Sequence, residues 1–169
     1  MPYLQVCSLA RLPATVRDIG ASHVLTLIND KTPVERPASI LAHNHLFLAM
    51  SDIVEPLDGH IIPAEDHVRR LLAFVREWDR VKPMVIHCYA GVSRSTAAAL
   101  ITVCALNPAR PEHDIANLIR KHSPTATPNL RLAGVADDLL QRGGRLLSAA
   151  EAIGRGSECY EGVPFRLDI

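Results

Sequence analysis

The sequence lacks the features that mark several large classes of protein. Its 18 basic and 18 acidic residues give a formal net charge of zero, so the overall charge provides no attraction to nucleic acid or to an anionic membrane surface. No apolar run approaches the ~20 residues that span a bilayer, and the N-terminus lacks the basic start and apolar stretch of a secretory signal. We therefore expect a cytoplasmic protein without a nucleic-acid or membrane partner.

The cysteines are also too few and too scattered for a structural role as ligands or crosslinks. Cys7, Cys88, Cys104 and Cys159 show no paired spacing, which argues against a structural zinc site and against a disulfide framework. We expect Cys7 and Cys104 to be small buried side chains. The histidines form no set of metal ligands either, so we predict neither a metal nor a cofactor.

The remaining composition is that of an ordinary globular domain. The chain has 169 residues, of which 48% are hydrophobic and 21% charged, and this length predicts a single domain over residues 1–169. Residues 155–169 form a tail without a clear pattern, for which two roles remain open. Its segment Val163-Pro164-Phe165 either docks on a sheet edge or binds a partner.

Hydrophobic periodicity predicts strands that alternate with helices, followed by a helical last third. The predicted strands cover residues 3–9, 22–28, 45–50 and 83–87. The predicted helices cover 14–19, 63–78, 94–106 and 146–153, and two more begin at Pro111 and at Thr127-Pro128. This order predicts an α/β fold, in which a central, mostly parallel sheet of about four or five strands is flanked by helices.

One segment between the fourth predicted strand and the next helix has the composition of an anion site. It reads His87-Cys88-Tyr89-Ala90-Gly91-Val92-Ser93-Arg94-Ser95. Anions bind in α/β folds beyond the carboxyl end of a strand and at a helix N-terminus. There the backbone N–H groups of a tight turn can surround a phosphate, and Gly91 frees the turn from the restriction that a Cβ imposes.

The same place suits a reactive cysteine. A helix N-terminus and a nearby cation stabilise a thiolate, so Cys88 is expected to act as a nucleophile on a group held in the turn. Arg94 offers a planar fork that fits two phosphoryl oxygens. Ser95 is placed to donate a hydrogen bond to the thiolate, and His87 is expected to support the loop structurally.

The pattern His-Cys-x-x-Gly-x-x-Arg-Ser resembles the signature loop of the protein tyrosine phosphatase superfamily, and the short chain is most similar to its small dual-specificity-like branch of bacterial type. The resemblance implies a metal-independent phosphatase that works through a phosphocysteine intermediate. It assigns catalysis to Cys88, Arg94, Ser95 and an aspartate, and phosphate binding to the loop residues Tyr89, Ala90, Gly91, Val92, Ser93 and Arg94.

The resemblance also implies a general acid, an aspartate just after the strand that precedes the long helix. Asp52 directly follows the segment His45–Ser51, which contains the predicted strand 45–50, and is our preferred candidate. Asp58 is the rival because it lies thirty residues before Cys88, closer to the usual spacing of this branch, although Asp58-Gly59 is also an ordinary turn pair. Asn129 has two open roles, either supporting the loop or simply starting a helix.

The five residues between Cys88 and Arg94 include no lysine or arginine. Because phosphatases of inositol phosphates carry extra cations there, the sequence favours a substrate with one phosphate, first a protein phosphotyrosine and then phosphoserine or phosphothreonine. Two alternatives remain: a pseudophosphatase that binds phosphorylated partners without turnover, and a sulfurtransferase or arsenate-reductase-like cysteine enzyme.

Overall fold

The computed structural model describes residues 1–169 as five strands and six α-helices around one sheet. The strands are β1 (Tyr3–Ser8), β2 (His23–Ile28), β3 (His45–Ala49), β4 (Met84–Cys88) and β5 (Phe165–Asp168). The helices are α1 (Leu12–Ile19), α2 (Glu65–Glu77), α3 (Arg94–Leu106), α4 (Glu112–His122), α5 (Leu130–Leu139) and α6 (Arg145–Ile153). A short 3₁₀ turn, Ala42–Asn44, precedes β3.

The strand order is β3-β2-β4-β1-β5. The first four strands are parallel to one another, and β5 pairs antiparallel with β1. The α/β fold with a mostly parallel sheet is therefore confirmed. Strand β4, apolar and buried along its length, lies at the centre of the sheet, so its carboxyl end delivers Cys88 to the middle of one sheet edge.

Helices cover both faces of the sheet. On one face, α1 packs Leu12 and Val16 against Val24 and Val85 in a small cluster of seven buried residues. On the other face, a core of 32 buried residues joins the sheet to α2–α6. Helix α3 is buried almost throughout, and this fixes its N-terminal end rigidly below the loop that follows Cys88.

The helix boundaries agree with the sequence prediction to within about two residues at most ends, since proline and glycine mark them. Helix α1 starts two residues earlier than predicted, with Pro13 in its first turn, and ends at Gly20 in the left-handed conformation (φ 62°). Helix α2 begins at Glu65 and not at Pro63, because Ala64 is still extended. Helix α3 ends at Leu106 as predicted.

The tail contributes a strand that the sequence pattern did not reveal. Residues Phe165–Asp168 add β5 to the edge of the sheet beside β1, with Phe165 opposite Val6 and Leu167 opposite Leu4. Of the two roles left open for the tail, the structure therefore shows docking on the sheet edge. None of the helices combines the length and the apolar character needed to cross a membrane.

Candidate active site

The nine residues singled out in the sequence span the end of β4, a compact turn of five residues and the start of α3. Cys88 is the last residue of β4 and is almost completely buried. Its Sγ lies 3.3 Å from the backbone N of Gly91, which donates to it, and 3.2 Å from the hydroxyl oxygen of Ser95 in the first turn of α3. The sulfur thus faces two donors and the N-terminal end of a helix, all of which stabilise negative charge.

The loop turns its carbonyl groups outward and leaves N–H groups free on the inside. The carbonyls of Tyr89, Ala90, Val92 and Ser93 accept hydrogen bonds from the backbone N–H groups of Leu9, Gly162, Thr127 and Asn129, respectively. The N–H groups of Ala90, Val92 and Ser93 have no acceptor within the chain. A turn with this arrangement is a concave set of donors, suited to an anion.

Gly91 makes this packing possible. It has φ +74°, in the left-handed region, and a Cβ at this position would lie 2.8 Å from the carbonyl carbon of Cys7 and 2.9 Å from the backbone N of Ser8. Only glycine tolerates both the backbone conformation and this close approach to the end of β1.

The guanidinium group of Arg94 is held by hydrogen bonds at Nη1 and has no hydrogen-bond partner at Nε. Its Nη1 donates to the side-chain oxygen of Asn29 and to the carbonyl of Met50, both at 2.8 Å. The side chain is only 5% exposed, yet its Nε has no hydrogen-bond partner. A buried, unpaired donor of this kind is costly, and an oxyanion bound in the loop would satisfy it.

Asp52 lies beside the end of the loop that leads into α3. Its Oδ1 accepts hydrogen bonds from the hydroxyl of Ser93 at 2.7 Å and from the side-chain amide of Asn129 at 2.9 Å. Asn129 also caps α5, since its Oδ1 accepts from the backbone N of Leu132. The two roles considered for Asn129 are therefore both present.

Asp58 lies in the exposed turn before Gly59, which has φ +76°. It makes no side-chain hydrogen bond or ion pair, and the structure does not join it to the loop. The structure thus brings Asp52 to the loop residues by direct contacts and leaves Asp58 in its ordinary turn position.

His87 lies in a buried chain of hydrogen bonds behind the loop. Its Nδ1 is 3.1 Å from the carbonyl oxygen of Cys88, and its Nε2 is 2.7 Å from the hydroxyl of Thr26, which in turn contacts Nε2 of His45 at 2.8 Å. Burial lowers the pKa of His87 to about 4, partly offset by the bond to the Cys88 carbonyl. The imidazole is therefore neutral at pH 7, with the Nδ1 proton directed to Cys88.

The other three cysteines differ in burial: two are buried and one is exposed. Burial raises the pKa of Cys7 and of Cys104 to about 12, which keeps both thiols protonated and unreactive. Both are buried, as the sequence predicts, whereas Cys159 is exposed on the tail.

Several residues at or beside the loop and its arginine were not predicted as parts of the site. Asn29 anchors Arg94, Gly162 donates to the carbonyl of Ala90, and Glu161 accepts a 2.6 Å hydrogen bond from Ser8 next to the loop. Asn29 directly follows β2 at the same sheet edge as Cys88, and this position is a signal that could have identified it. No local sequence signal identifies Glu161 or Gly162 as part of the site.

Comparisons with known proteins agree with this site. The family model for protein-tyrosine phosphatases matches residues 58–124, a range that contains the whole loop. The curated protein sequences gave no match.

Several solved structures share the fold at low sequence identity. The crystal structure of DUSP15 is 17% identical, with a TM-score of 0.64 over 90% of this chain and 92% of that chain. Human DUSP28 is 14% identical, with a TM-score of 0.63 over 82% and 92%. PTPMT1, solved in complex with PI(5)P, is 13% identical, with a TM-score of 0.64 over 88% and 98%.

The matched segment contains the complete loop, and the surrounding fold is that of these phosphatases. The assignment to a bacterial type of the small branch stays a prediction. In the segment that the family model matches, in its loop and in its fold, the chain is similar to the cysteine-dependent protein tyrosine phosphatases.

Proposed function

We propose that this protein hydrolyses phosphate monoesters of proteins, foremost phosphotyrosine, without a metal and through a phosphocysteine on Cys88. One observation carries the proposal. The sulfur of Cys88 lies at the base of a loop whose free N–H groups, together with the unpaired Nε of the buried Arg94, form an unfilled set of phosphate donors. A phosphoryl group bound by these donors is held directly in front of the sulfur.

In the first step, the Cys88 thiolate attacks phosphorus opposite the leaving oxygen. A sulfur–phosphorus bond forms, the ester bond breaks, and the leaving oxygen takes a proton from Asp52. The contacts of Asp52 support this role, because Ser93 and Asn129 both donate to Oδ1. Oδ2 makes no hydrogen bond and is free to carry the proton.

In the second step, water attacks the phosphorus of the phosphocysteine. The carboxylate of Asp52 accepts a proton from this water, the sulfur–phosphorus bond breaks, and inorganic phosphate leaves. The electron pair returns to Cys88 as a thiolate. Ser95 supports this departure, since its hydroxyl lies 3.2 Å from the sulfur and can donate to it.

The surroundings of the loop favour a substrate with a single phosphate on a protein. Arg94 is the one cation of the loop, and the segment beside it carries the acids Asp52 and Glu55. A headgroup with several phosphates would meet these carboxylates without compensating cations. The exposed ring of Tyr89 follows the nucleophile directly and can contact an aryl ester.

The test is phosphate release from a phosphotyrosine peptide and from an aryl phosphate, with a metal chelator present. We expect turnover by the native chain, none by Cys88→Ser, and a loss of roughly 10²–10⁴-fold for Asp52→Asn. Asp58→Asn is the matched control, because it makes the same chemical change in a turn that does not contact the loop. Rapid quenching with a peptide labelled on its phosphate should trap a phosphoenzyme in Ser95→Ala, whose breakdown step is slowed, that Cys88→Ser does not form.

Each alternative has its own outcome. A crippled Asp58→Asn with a normal Asp52→Asn would move the general acid to Asp58 and keep the mechanism. A native chain that binds phosphopeptides but releases no phosphate would be a pseudophosphatase. Persulfide formation on Cys88 with thiosulfate, without phosphatase activity, would identify a sulfurtransferase. Faster hydrolysis of a phosphoinositide than of any peptide would refute the protein substrate.

A further inference from the structure

A surface groove leads away from the catalytic loop along α5. Its inner part has a volume of about 580 Å³, lies between residues 52–57 and 127–130, and is bordered by Asp52 and Ser93. Its outer part has a volume of about 450 Å³ and reaches Leu147 and Glu151 on α6. Because the two parts share Val54, Glu55 and Leu130, they form one depression that begins at the proposed general acid.

Apolar side chains line this groove although they are open to solvent. Val54 is 46% exposed, Leu57 55% and Leu130 39%. Val135 and Leu147 continue the apolar surface into the outer part as half-buried residues. A contiguous apolar strip of this kind beside a catalytic loop is typical of a surface that binds another molecule.

The groove is also acidic, and its carboxylates have no cationic partners within the protein. Glu55, Asp138 and Glu151 line it, and none of them takes part in an ion pair. Arg131 is the one cation among the lining residues, and its Nε already donates to the carbonyl of Pro63 at 2.7 Å. A chain with zero net charge therefore concentrates unpaired negative charge along this groove.

We infer that this groove binds the polypeptide on one side of the phosphorylated residue and selects segments that carry arginine or lysine beside apolar residues. The inference rests on the proposed function, since it assumes a phosphorylated side chain in the loop. Because the groove is continuous with the loop, the peptide residues next to a phosphorylated residue bound in the loop would lie in the groove. Its carboxylates select cations, and its apolar strip accepts their aliphatic stems and neighbouring apolar side chains.

The test measures the dissociation constants of fluorescent phosphotyrosine peptides from the Cys88→Ser chain, which binds without turning them over. Three peptides share one apolar framework and differ only in flanking arginine, glutamine or glutamate. Exposed ion pairs each contribute a few-fold in affinity, so two or three of them should make the arginine peptide bind about 3- to 30-fold more tightly than the glutamate peptide. Raising the salt concentration should narrow this difference.

Charge reversal in the groove should remove the preference. With Glu55→Lys and Glu151→Lys together, we expect the ratio of the two dissociation constants to fall to about one or to invert. Glu77→Lys is the matched control, because it makes the same glutamate-to-lysine change outside the groove. Glu77 lies at the C-terminal end of α2, before β4 begins. This variant should keep the ratio of the two dissociation constants. Because the ratio compares two peptides on one preparation, partial unfolding of a variant does not alter it.

Equal affinity for the three peptides, or tighter binding of the glutamate peptide, would overturn the inference. So would an equal loss of preference in Glu77→Lys, because the effect would then come from overall charge and not from the groove. These outcomes are separate from failure of the proposed function, which is the absence of phosphate release by the native chain. A native chain that hydrolyses an aryl phosphate but shows no flanking preference keeps its function and loses this specificity.

Discussion

The buried histidine behind Cys88 makes the stability of this protein depend on pH in a predictable direction. The carbonyl of Cys88 can only accept, so Nδ1 of His87 donates to it and Nε2 accepts from the hydroxyl of Thr26. Protonation would add a hydrogen on Nε2 and place a charge in the core. For that reason burial, the largest cause, lowers the pKa of His87 from 6.5 to about 4.

At pH 7, the imidazole is neutral in the folded chain and mostly neutral in the unfolded chain, so its titration contributes little to stability. Between pH 6.5 and about 4, the unfolded chain takes up a proton that the folded chain does not. The free energy of unfolding therefore falls as the pH falls, by roughly 2–3 kcal/mol at pH 4.5.

The perturbation is His87→Asn, which removes the titrating ring and keeps a side-chain amide near the Cys88 carbonyl. At pH 7, we expect the variant to be less stable by about 1–3 kcal/mol, because the bond with Thr26 is lost. This gap should narrow by about 2–3 kcal/mol between pH 7 and pH 4.5. The free energy of unfolding of both chains is measured at each pH by urea unfolding, followed by the fluorescence of the single, buried Trp78.

The comparison of the two chains removes the contributions of other groups. His23, His45 and His67 also have pKa values lowered by burial, but they are present in both chains, so they largely cancel in the difference. A gap between native chain and variant that stays constant from pH 7 to 4.5 would show that His87 does not resist protonation.

Three further substitutions test the supports of the site. Gly162→Ala should lower kcat by at least several-fold and destabilise the fold, because the new Cβ would lie 2.9 Å from the carbonyl oxygen of Gly91. An unchanged kcat and an unchanged urea midpoint would contradict this prediction. Ser95→Ala should slow breakdown of the phosphocysteine by about 10–100-fold while leaving its formation less affected, as measured by the burst of phenol release against steady-state turnover. Asp137→Ala should cost about 1–3 kcal/mol in urea unfolding without a change in KM, since its carboxylate accepts three backbone N–H groups at the start of α6.

The fold and the position of the loop from His87 to Ser95 could be predicted because their signals are local. The apolar run of β4, the amphipathic period of α2 and the residues from His87 to Ser95 each lie within one short segment. The structure places Cys88, Arg94 and Ser95 where that pattern suggested. The position of Asp52 near the loop could also be expected from chain order, because it comes three residues after β3, a strand whose carboxyl end lies at the same sheet edge as Cys88; its role as general acid stays a prediction.

What could not be predicted depends on contacts between distant parts of the chain. The hydrogen bond from Ser8 to Glu161 joins residues separated by 153 positions. Strand β5 has only four residues, with Phe165 and Leu167 facing inward, and so short an alternation occurs in many loops. The burial of Thr26, and its hydrogen bonds to His45 and His87, could be predicted only by knowing the order of the strands in the sheet.

These distant contacts explain why the catalytic loop has its shape. Its outward carbonyls are bound by Leu9 after β1, by Thr127 and Asn129 before α5, and by Gly162 in the tail. Each of these bonds holds a carbonyl of the loop on a partner outside it, while Gly91 donates to the sulfur of Cys88 and the N–H groups of Ala90, Val92 and Ser93 keep no acceptor. Free donors in that position cost energy, and the surrounding fold rather than the loop itself sustains them. The site is therefore arranged before any substrate arrives, and under the proposed function a phosphoryl group would supply the acceptors that the folded chain lacks.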